Sequence, residues 1–295
     1  MAEQTTPQTP PPALEPSTGR MGALEAQLRD DMARAGRRRR LSNIAAPILT
    51  AIGLVVAWQL LTVLLKVPDY LVPAPTGVVE ALFQNLGTLW EASLVTLSEI
   101  LLGFVLSIVI GFPLAIAIFG SPAFGKAIYP ILVSTQAIPK AAIAPLFIVW
   151  FGFGTLPKVL IAFLIAFFPI VIDTVVGLGS IEVEKLYLAR SIGMGRLETF
   201  VKIRLPQALP SIFSGLKIAI TLAVVGAVVG EFVGADAGLG YVLMKANGML
   251  ETPLLFAGLV CLTVIGVVLF AVVALVEQLV IPWHHEMGEK ARGTS

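Results

Sequence analysis

Charged side chains are scarce in this sequence. Of its 295 residues only 13% are Asp, Glu, Lys or Arg, whereas 57% are hydrophobic and the mean hydropathy is +0.90. A soluble domain carries about 25% charged residues. The shortage of charge therefore indicates an integral membrane protein, and the formal net charge of +1 points to no particular charged partner.

Cysteine and histidine are almost absent as well. The single cysteine, Cys261, lies in an apolar run, which excludes a disulfide framework and a cysteine metal site. The two histidines, His284 and His285, are adjacent and lack carboxylate partners at ligand spacing, so we interpret them as part of a solvated tail. We therefore expect no metal, no bound cofactor and no catalytic residue on this chain.

One stretch nearly matches a nucleotide-binding motif. The residues GSPAFGKA, from Gly120 to Ala127, follow the phosphate-loop pattern G-x-x-x-x-G-K-[ST] until Ala127, where a hydroxyl should hold magnesium. Apolar runs of membrane-helix length flank the stretch, whereas a phosphate loop should follow a buried strand. We expect a short turn there, and no ATP hydrolysis by the chain itself.

Long apolar runs account for most of the chain. A helix needs about 20 apolar residues to cross the bilayer core, and six segments between 43 and 283 qualify. They are residues 44–65, 94–118, 127–150, 157–179, 209–230 and 253–276. The first is too long for the apolar region of a signal peptide, so we interpret it as an uncleaved span.

Polar tails flank this predicted transmembrane domain. Residues 1–42 are rich in Pro, Thr and Gln and predict a disordered tail, and residues 284–295 form a second tail. Seven arginines lie in the first tail and five basic residues lie between the fourth and fifth spans, whereas the opposite side holds only Lys66, Lys158 and Lys245. The positive-inside rule then predicts that both termini are cytoplasmic.

Residues 76–93 have apolar side chains at helical spacing but are too polar to span a membrane. We expect an outer-surface helix that lies against the membrane or the helix bundle. Pro73 and Pro75 precede it and predict a break from the first span.

Residues 181–208 are basic and lie between two apolar spans. The pattern predicts two short helices with a break at Gly193 and Gly195, because glycine adopts the left-handed conformation easily. Pro206 and Pro210 are then expected to redirect the chain into the fifth span. One interpretation is a helix-turn-helix surface on which a partner docks. The alternative is a basic loop that touches anionic lipid.

Several polar residues lie inside predicted spans, where a charge needs a partner or a wet cavity. Gln136, Pro139 and Lys140 lie where prolines should bend or break the third span, so they are the first candidates for a translocation pathway. Asp173, Glu99 and Glu231 are further candidates for the pathway, and structural pairing near the outer surface is the alternative for Glu231.

The basic segment resembles the cytoplasmic coupling motif of ABC importer permeases. Ala189, Gly193 and the ending IRLP match that motif, whereas Tyr187 and Leu188 stand where Glu and Ala are usual. The resemblance implies an all-α, six-span type I ABC importer permease fold with a cytoplasmic coupling helix. It also implies contact with an ATPase through nine residues. These are Tyr187, Leu188, Ala189, Arg190, Gly193, Met194, Gly195, Arg196 and Leu197.

Four further stretches extend the resemblance over nearly the whole chain after the first tail. YLVPAPTGV, QAIPKAAIAPLFIVWFGFG, FFPIVIDTVVGL and GEFVGADAGLGY are similar to permeases for sulfonates, taurine, nitrate or pyrimidine-type vitamin precursors. The resemblance implies a bacterial inner-membrane homodimer and a solute that is a small anion or a heteroaromatic precursor. It also implies an extracytoplasmic binding protein and two separate ATPase subunits, which hold ATP and Mg. A secondary transporter is the alternative, but that class often has matching broken helices in two halves, and we find one.

Overall fold

The computed structural model describes Ala46 and residues 48–282, and in those residues every regular element is helical. The chain divides into two units at Leu61 and Thr62. Ala46 and most of helix α1, Ile48–Leu64, are the described part of the first unit. The second unit holds the remaining helices, the basic segment 181–208 and the candidate residues of the translocation pathway. The predicted tails, 1–42 and 284–295, lie outside the described residues.

The helices of the second unit follow one another with short connections. They are α2 Pro75–Gln84, α3 Leu86–Gly120, α4 Pro122–Thr135, a 3₁₀ turn Lys140–Ile143, α5 Ala144–Phe151, α6 Thr155–Gly179, α7 Val183–Ser191, α8 Arg196–Thr199, a π-helical turn Phe200–Arg204, α9 Leu205–Gly234, α10 Leu239–Gly248 and α11 Thr252–Val280. We call the end of this bundle where α7 and α8 lie the coupling end, and the end where α10 lies the opposite end.

Four helical segments are long and apolar enough to cross a membrane, and α4 with the segment Lys140–Phe151 can form a fifth span, which is bent by 84°. These five fall on the second to sixth predicted spans. The first predicted span corresponds to α1, whose described part, Ile48–Leu64, has 17 residues.

The centre of the bundle is the packing of α3, α6 and α9. Ile100, Ala162, Ile170 and Ile220 are all buried in their shared core. Small residues allow the helices to approach closely, because a Cβ atom added to Gly103 would lie 2.6 Å from the Cβ of Ala162. Close packing of this kind holds helices together in lipid, where no hydrophobic effect acts between them.

The predicted surface helix over 76–93 is wrong in its second half. A helix ends at Gln84, and residues 86–93 belong to the long helix α3. Leu89 and Ala92 are buried on the same side of α3 as Thr96, so the apolar pattern continues into the span. The predicted break after the first span is present, because no helix covers residues 67–74.

The expected redirection at Pro206 and Pro210 is also wrong. Residues Arg196–Gly234 form one helical run through both prolines. A proline removes a backbone donor and crowds the preceding turn. The wide π turn Phe200–Arg204 lies directly before Pro206, and its last bond runs from the Leu205 amide to the Phe200 carbonyl. The wider turn accommodates the proline without a change of direction.

Prediction: Gly226→Ala should destabilise the bundle. A Cβ atom there would lie 2.6 Å from the Cα of Ala162, so α6 and α9 would have to separate. Overpacking of this kind costs about 1–3 kcal/mol, and thermal unfolding in detergent would measure it. Gly77→Ala on α2 is the control, because no atom lies within 4 Å of its Cβ position. Equal melting temperatures for the two variants would contradict the prediction.

Candidate functional site

The turn between α7 and α8 has the geometry of a helix C-cap. Gly193 has φ +80°, in the left-handed region. Its amide donates to the carbonyl of Arg190 at 3.0 Å, and the Met194 amide donates to the carbonyl of Ala189 at 3.0 Å. These two bonds are the Schellman pair that ends a helix. Gly195 has φ −70° and precedes α8, so only Gly193 needs the left-handed conformation that was predicted for both.

The side chains of α7 divide between two sides of the helix. Ala189 is 1% exposed, whereas Tyr187 and Leu188 are each 64% exposed. Ile192 and Leu197 continue this apolar surface across the turn, at 68% and 76% exposure. We call Tyr187, Leu188, Ile192 and Leu197 the coupling knob. Arg190, Arg196 and Gly195 are exposed beside it, and Met194 is half-buried.

The third span breaks where Gln136, Pro139 and Lys140 lie, as the sequence predicts. α4 ends at Thr135, and residues 136–139 separate it from the 3₁₀ turn that begins at Lys140. The Lys140 ammonium donates to the Gln136 carbonyl at 3.1 Å and lies 4.7 Å from the ring centroid of Phe168. Since Phe168 is near the middle of α6, the ammonium lies near the middle of the bundle.

Asp173 and Glu231 are not part of this break. Asp173 lies on α6 beyond Phe168 and packs against Gly215 of α9. Glu231 lies in the last turn of α9, at the opposite end, and is 2% exposed. The structure therefore brings Gln136, Pro139 and Lys140 together at the break in the third span. Asp173 and Glu231 lie away from this break, on α6 and α9.

Glu231 belongs to a buried polar network between three helices, α3, α9 and α10. Its carboxylate accepts a hydrogen bond from the Thr96 hydroxyl at 2.7 Å and another from the Gly240 amide. The Leu239 amide donates to the Thr96 hydroxyl oxygen at 2.8 Å. These bonds attach the start of α10 to α3 and α9, which is the structural pairing that the sequence left open for Glu231.

An ion pair lies in the same region. The Lys158 ammonium on α6 is 2.6 Å from Glu99 Oε1 on α3, and the two side chains are 4% and 0% exposed. Sequence reasoning counted Lys158 only as an outer-surface charge. Lys158 lies at the start of the fourth predicted span, and Glu99 is the one acidic residue of the second predicted span. Because a charge inside a membrane needs a partner, this could have indicated the pair. A second pair, Lys217 with Glu277 at 2.7 Å, joins α9 to α11.

Two sequence expectations concern ligands. Within residues 48–282 no group of three His, Cys, Asp or Glu side chains could hold a metal ion. The near-match to a phosphate loop lies between α3 and α4, with Ser121 as the cap of α4 and helix on both sides. His284 and His285 lie outside the described residues.

A bundle of apolar helices with a broken span and an exposed basic segment at one end defines a multi-pass membrane transport protein. Residues 103–282 match the protein family described as "binding-protein-dependent transport system inner membrane component". The match covers more than half of the chain, and the chain belongs to this family. It is the membrane-spanning permease subunit of an ABC importer, a class whose ATPase is a separate subunit, and it lies in the inner membrane.

Three transport permeases align with this chain over most of their length. It is 39% identical to the riboflavin transport system permease RibX of Chloroflexus aurantiacus, over 80% of this chain and 88% of the relative. It is 36% identical to the formylaminopyrimidine transport permease ThiX of Halalkalibacterium halodurans, over 80% and 95%. The taurine transport system permease TauC of Escherichia coli is 30% identical, over 80% and 88%.

A solved structure supports the fold. A chain of the MetNI methionine ABC transporter, in an inward-facing conformation, matches with a TM-score of 0.59 over 67% of this chain and 98% of that chain. The sequence identity is 18%, so the match concerns the fold alone. Together with the family assignment, it confirms the predicted type I permease fold and excludes the secondary-transporter alternative.

Prediction: Lys158→Met should destabilise the chain strongly, because it leaves the Glu99 carboxylate buried without its cation. Breaking a buried pair by removing one partner costs about 3–5 kcal/mol. The double variant Glu99→Gln with Lys158→Met should recover much of this loss. Unfolding of the detergent-solubilised protein in a denaturant series would measure both.

The control for this prediction is Lys185→Met. Lys185 pairs with Glu182 at 3.1 Å, but the two side chains are 44% and 67% exposed. An exposed pair contributes about 0–1 kcal/mol. If Lys158→Met costs no more than Lys185→Met, or if the double variant is no better than the single one, the pair does not stabilise the fold.

Proposed function

We propose that the coupling knob is the site at which a cytoplasmic ATPase subunit docks on this permease. The carrying observation is that four apolar side chains, each more than 60% exposed, flank a hydrogen-bonded turn. An exposed apolar cluster with charged neighbours is the usual composition of a protein interface. The ordered C-cap at Gly193 gives the knob one shape, which a force-transmitting contact requires.

The complex then holds two copies of this chain. One chain offers one knob, and the ATPases of this class are expected to work as a face-to-face pair, so two docking sites require a homodimer. Gly226 and Gly230 are four residues apart, a spacing that often marks a contact between membrane helices, but they pack against Ala162 and Lys158 of the same chain. The contact between copies therefore uses another surface. In the proposed orientation the coupling end is cytoplasmic, as are both termini.

The broken third span is the proposed translocation pathway. A lysine near the middle of the bundle needs a partner or water, and the Lys140 ammonium has a carbonyl and an aromatic face beside it. Irregular backbone at that depth is tolerated where it lines a cavity. Gln136, Pro139 and Lys140 are the proposed lining, and Asp173 and Glu231 remain weaker candidates.

The proposed solute is a small heteroaromatic compound of the pyrimidine or flavin type, delivered by an extracytoplasmic binding protein. The relatives with riboflavin and formylaminopyrimidine in their names are 39% and 36% identical, whereas the taurine relative is 30% identical. The Lys140 ammonium can donate hydrogen bonds to the ring carbonyls of such a solute. Stimulation of ATP turnover in the reconstituted complex by taurine, and not by riboflavin or an aminopyrimidine, would reverse this choice.

Prediction: Gly193→Val should uncouple the ATPase while the chain still inserts and folds. No atom lies within 4 Å of the Cβ position, so the cost is conformational and not a clash. A left-handed residue with a side chain costs about 1–2 kcal/mol, which lowers the population of the knob by a factor of about 5–30. Solute-stimulated ATP turnover of the assembled complex would measure the loss, and native mass spectrometry would count the permease copies.

Two variants make this test specific. Gly193→Asn should retain much of the turnover, because asparagine tolerates the left-handed conformation. Gly179→Val is the control, since Gly179 ends α6 at the same end of the bundle, has no atom within 4 Å of its Cβ position and needs no positive φ. Normal turnover in Gly193→Val, or one permease copy per active complex, would overturn the proposal.

Prediction: after replacement of Cys261, cysteines at Gln136 and Lys140 should react with a small charged thiol reagent. Their reactivity should change when ATP is trapped in the complex, because alternating access opens one side at a time. Cysteine at Val267, an apolar residue on α11 that is 62% exposed, is the control for lipid-facing positions and should stay unreactive. If neither pathway position is labelled in any nucleotide state, both residues are structural.

A further inference from the structure

A cavity of about 840 Å³ opens at the coupling end, between α3 and the segment that follows α6. The last turns of α3 form one wall with Ile116, Phe119 and Gly120. α7, α8 and the π turn form the other walls. The cavity is therefore separate from the broken third span, none of whose residues lines it.

Three arginines line this cavity: Arg190 from α7, Arg196 from α8 and Arg204 from the π turn. Arg204 is held in place, because its guanidinium donates to the Leu178 carbonyl at 3.3 Å and lies 4.9 Å from the ring centroid of Phe119. A planar guanidinium in a fixed position is suited to bind a phosphate through two parallel hydrogen bonds.

Among the described residues, no carboxylate lines the cavity to neutralise these charges. In this segment Glu182 pairs with Lys185 and Glu198 pairs with Lys202. Glu184 is exposed on α7 and is not a wall residue. The described part of the chain thus leaves a cationic cavity that an anion can enter.

Apart from Thr199, the remaining walls are apolar. Leu186, Met194, Leu197 and Phe200 face the cavity together with Ile116 and Phe119. The cavity lies beside Gly120, where the apolar helix α3 ends, so it is at the level where a membrane meets water. Its volume exceeds what an inorganic phosphate needs and is in the range of sites for larger organic ligands.

We propose that this cavity binds the headgroup of an anionic phospholipid, with the phosphate on the three arginines and the glycerol and first methylenes against the apolar walls. Basic pockets between membrane helices are suited to such headgroups. Leu186 and Arg190 are four residues apart and share one side of α7, whereas Leu188 lies on another. Leu197 belongs to both the coupling knob and the cavity wall, so the two sites adjoin, and the competition experiment below decides whether lipid and ATPase bind together. The inference does not depend on the solute.

The test uses the full-length chain alone, purified without an ATPase, in nanodiscs of phosphatidylcholine with or without phosphatidylglycerol. Native mass spectrometry counts the lipids retained, and thermal unfolding measures stabilisation. We expect phosphatidylglycerol to be retained and to raise the melting temperature. Arg190→Gln combined with Arg204→Gln should lower retention about ten-fold, and Arg190→Gln alone should lower it less.

The matched control is Lys202→Gln. It removes one positive charge from the same segment, but Lys202 pairs with Glu198 and does not line the cavity, so retention should be unchanged. Arg190 is exposed and has no packing role, so its single variant keeps the test valid if the Arg204 variant unfolds. If Lys202→Gln lowers the retention of phosphatidylglycerol as much as the arginine variants do, the lipid is held by general electrostatic attraction. That result would overturn the proposal.

Two further arms identify the occupant. If inorganic phosphate at millimolar concentration stabilises the chain as well as phosphatidylglycerol does, the site binds a free anion and not a lipid. If assembly with the ATPase expels the bound phosphatidylglycerol, the cavity belongs to the protein interface. Either result would overturn the proposal, and neither would change the outcome of the Gly193→Val experiment.

Discussion

The close approach of α3, α6 and α9 at Ala162 is the constraint on which the rest of the structure depends. In lipid no hydrophobic effect drives helices together, so van der Waals contact between close backbones must do so. Gly103 of α3 and Gly226 of α9 both lie against Ala162, and a Cβ atom on either would come within 2.6 Å of it. α6 is therefore held from two sides at one level, and this fixes the positions of Lys158 at one end and of α7 at the other.

The opposite end of the bundle can hold buried charge because these helices are fixed. Lys158 reaches Glu99 only when α6 and α3 lie at this distance, and Glu231 reaches Thr96 only when α9 does. Since an uncompensated charge would be costly in this environment, the polar network favours one arrangement of the helices. It also orients α10 through the Leu239 and Gly240 amides, so the surface of that end follows from the same contacts.

The features that were predictable from the sequence are local. Hydropathy located the spans, Pro139 indicated the broken helix, and Gly193 indicated the turn, because each depends on neighbouring residues. Two failures depended on distant partners: Leu89 and Ala92 extend α3 because they pack inside the bundle, and the pairing of Lys158 with Glu99 joins residues 59 positions apart. The failure at Pro206 is local, because the π turn before it accommodates the proline. Composition and charge counts carry no information about such pairs.

The coupling end separates two tasks on one short helix. Ala189 is buried, whereas the apolar side chains of Tyr187 and Leu188 are exposed. Arg190 of the same helix lines the cavity beside α3. A basic segment next to a membrane is commonly interpreted either as a protein-docking site or as a lipid contact. Because Leu188 and Arg190 lie on different sides of α7, one short helix can take part in both.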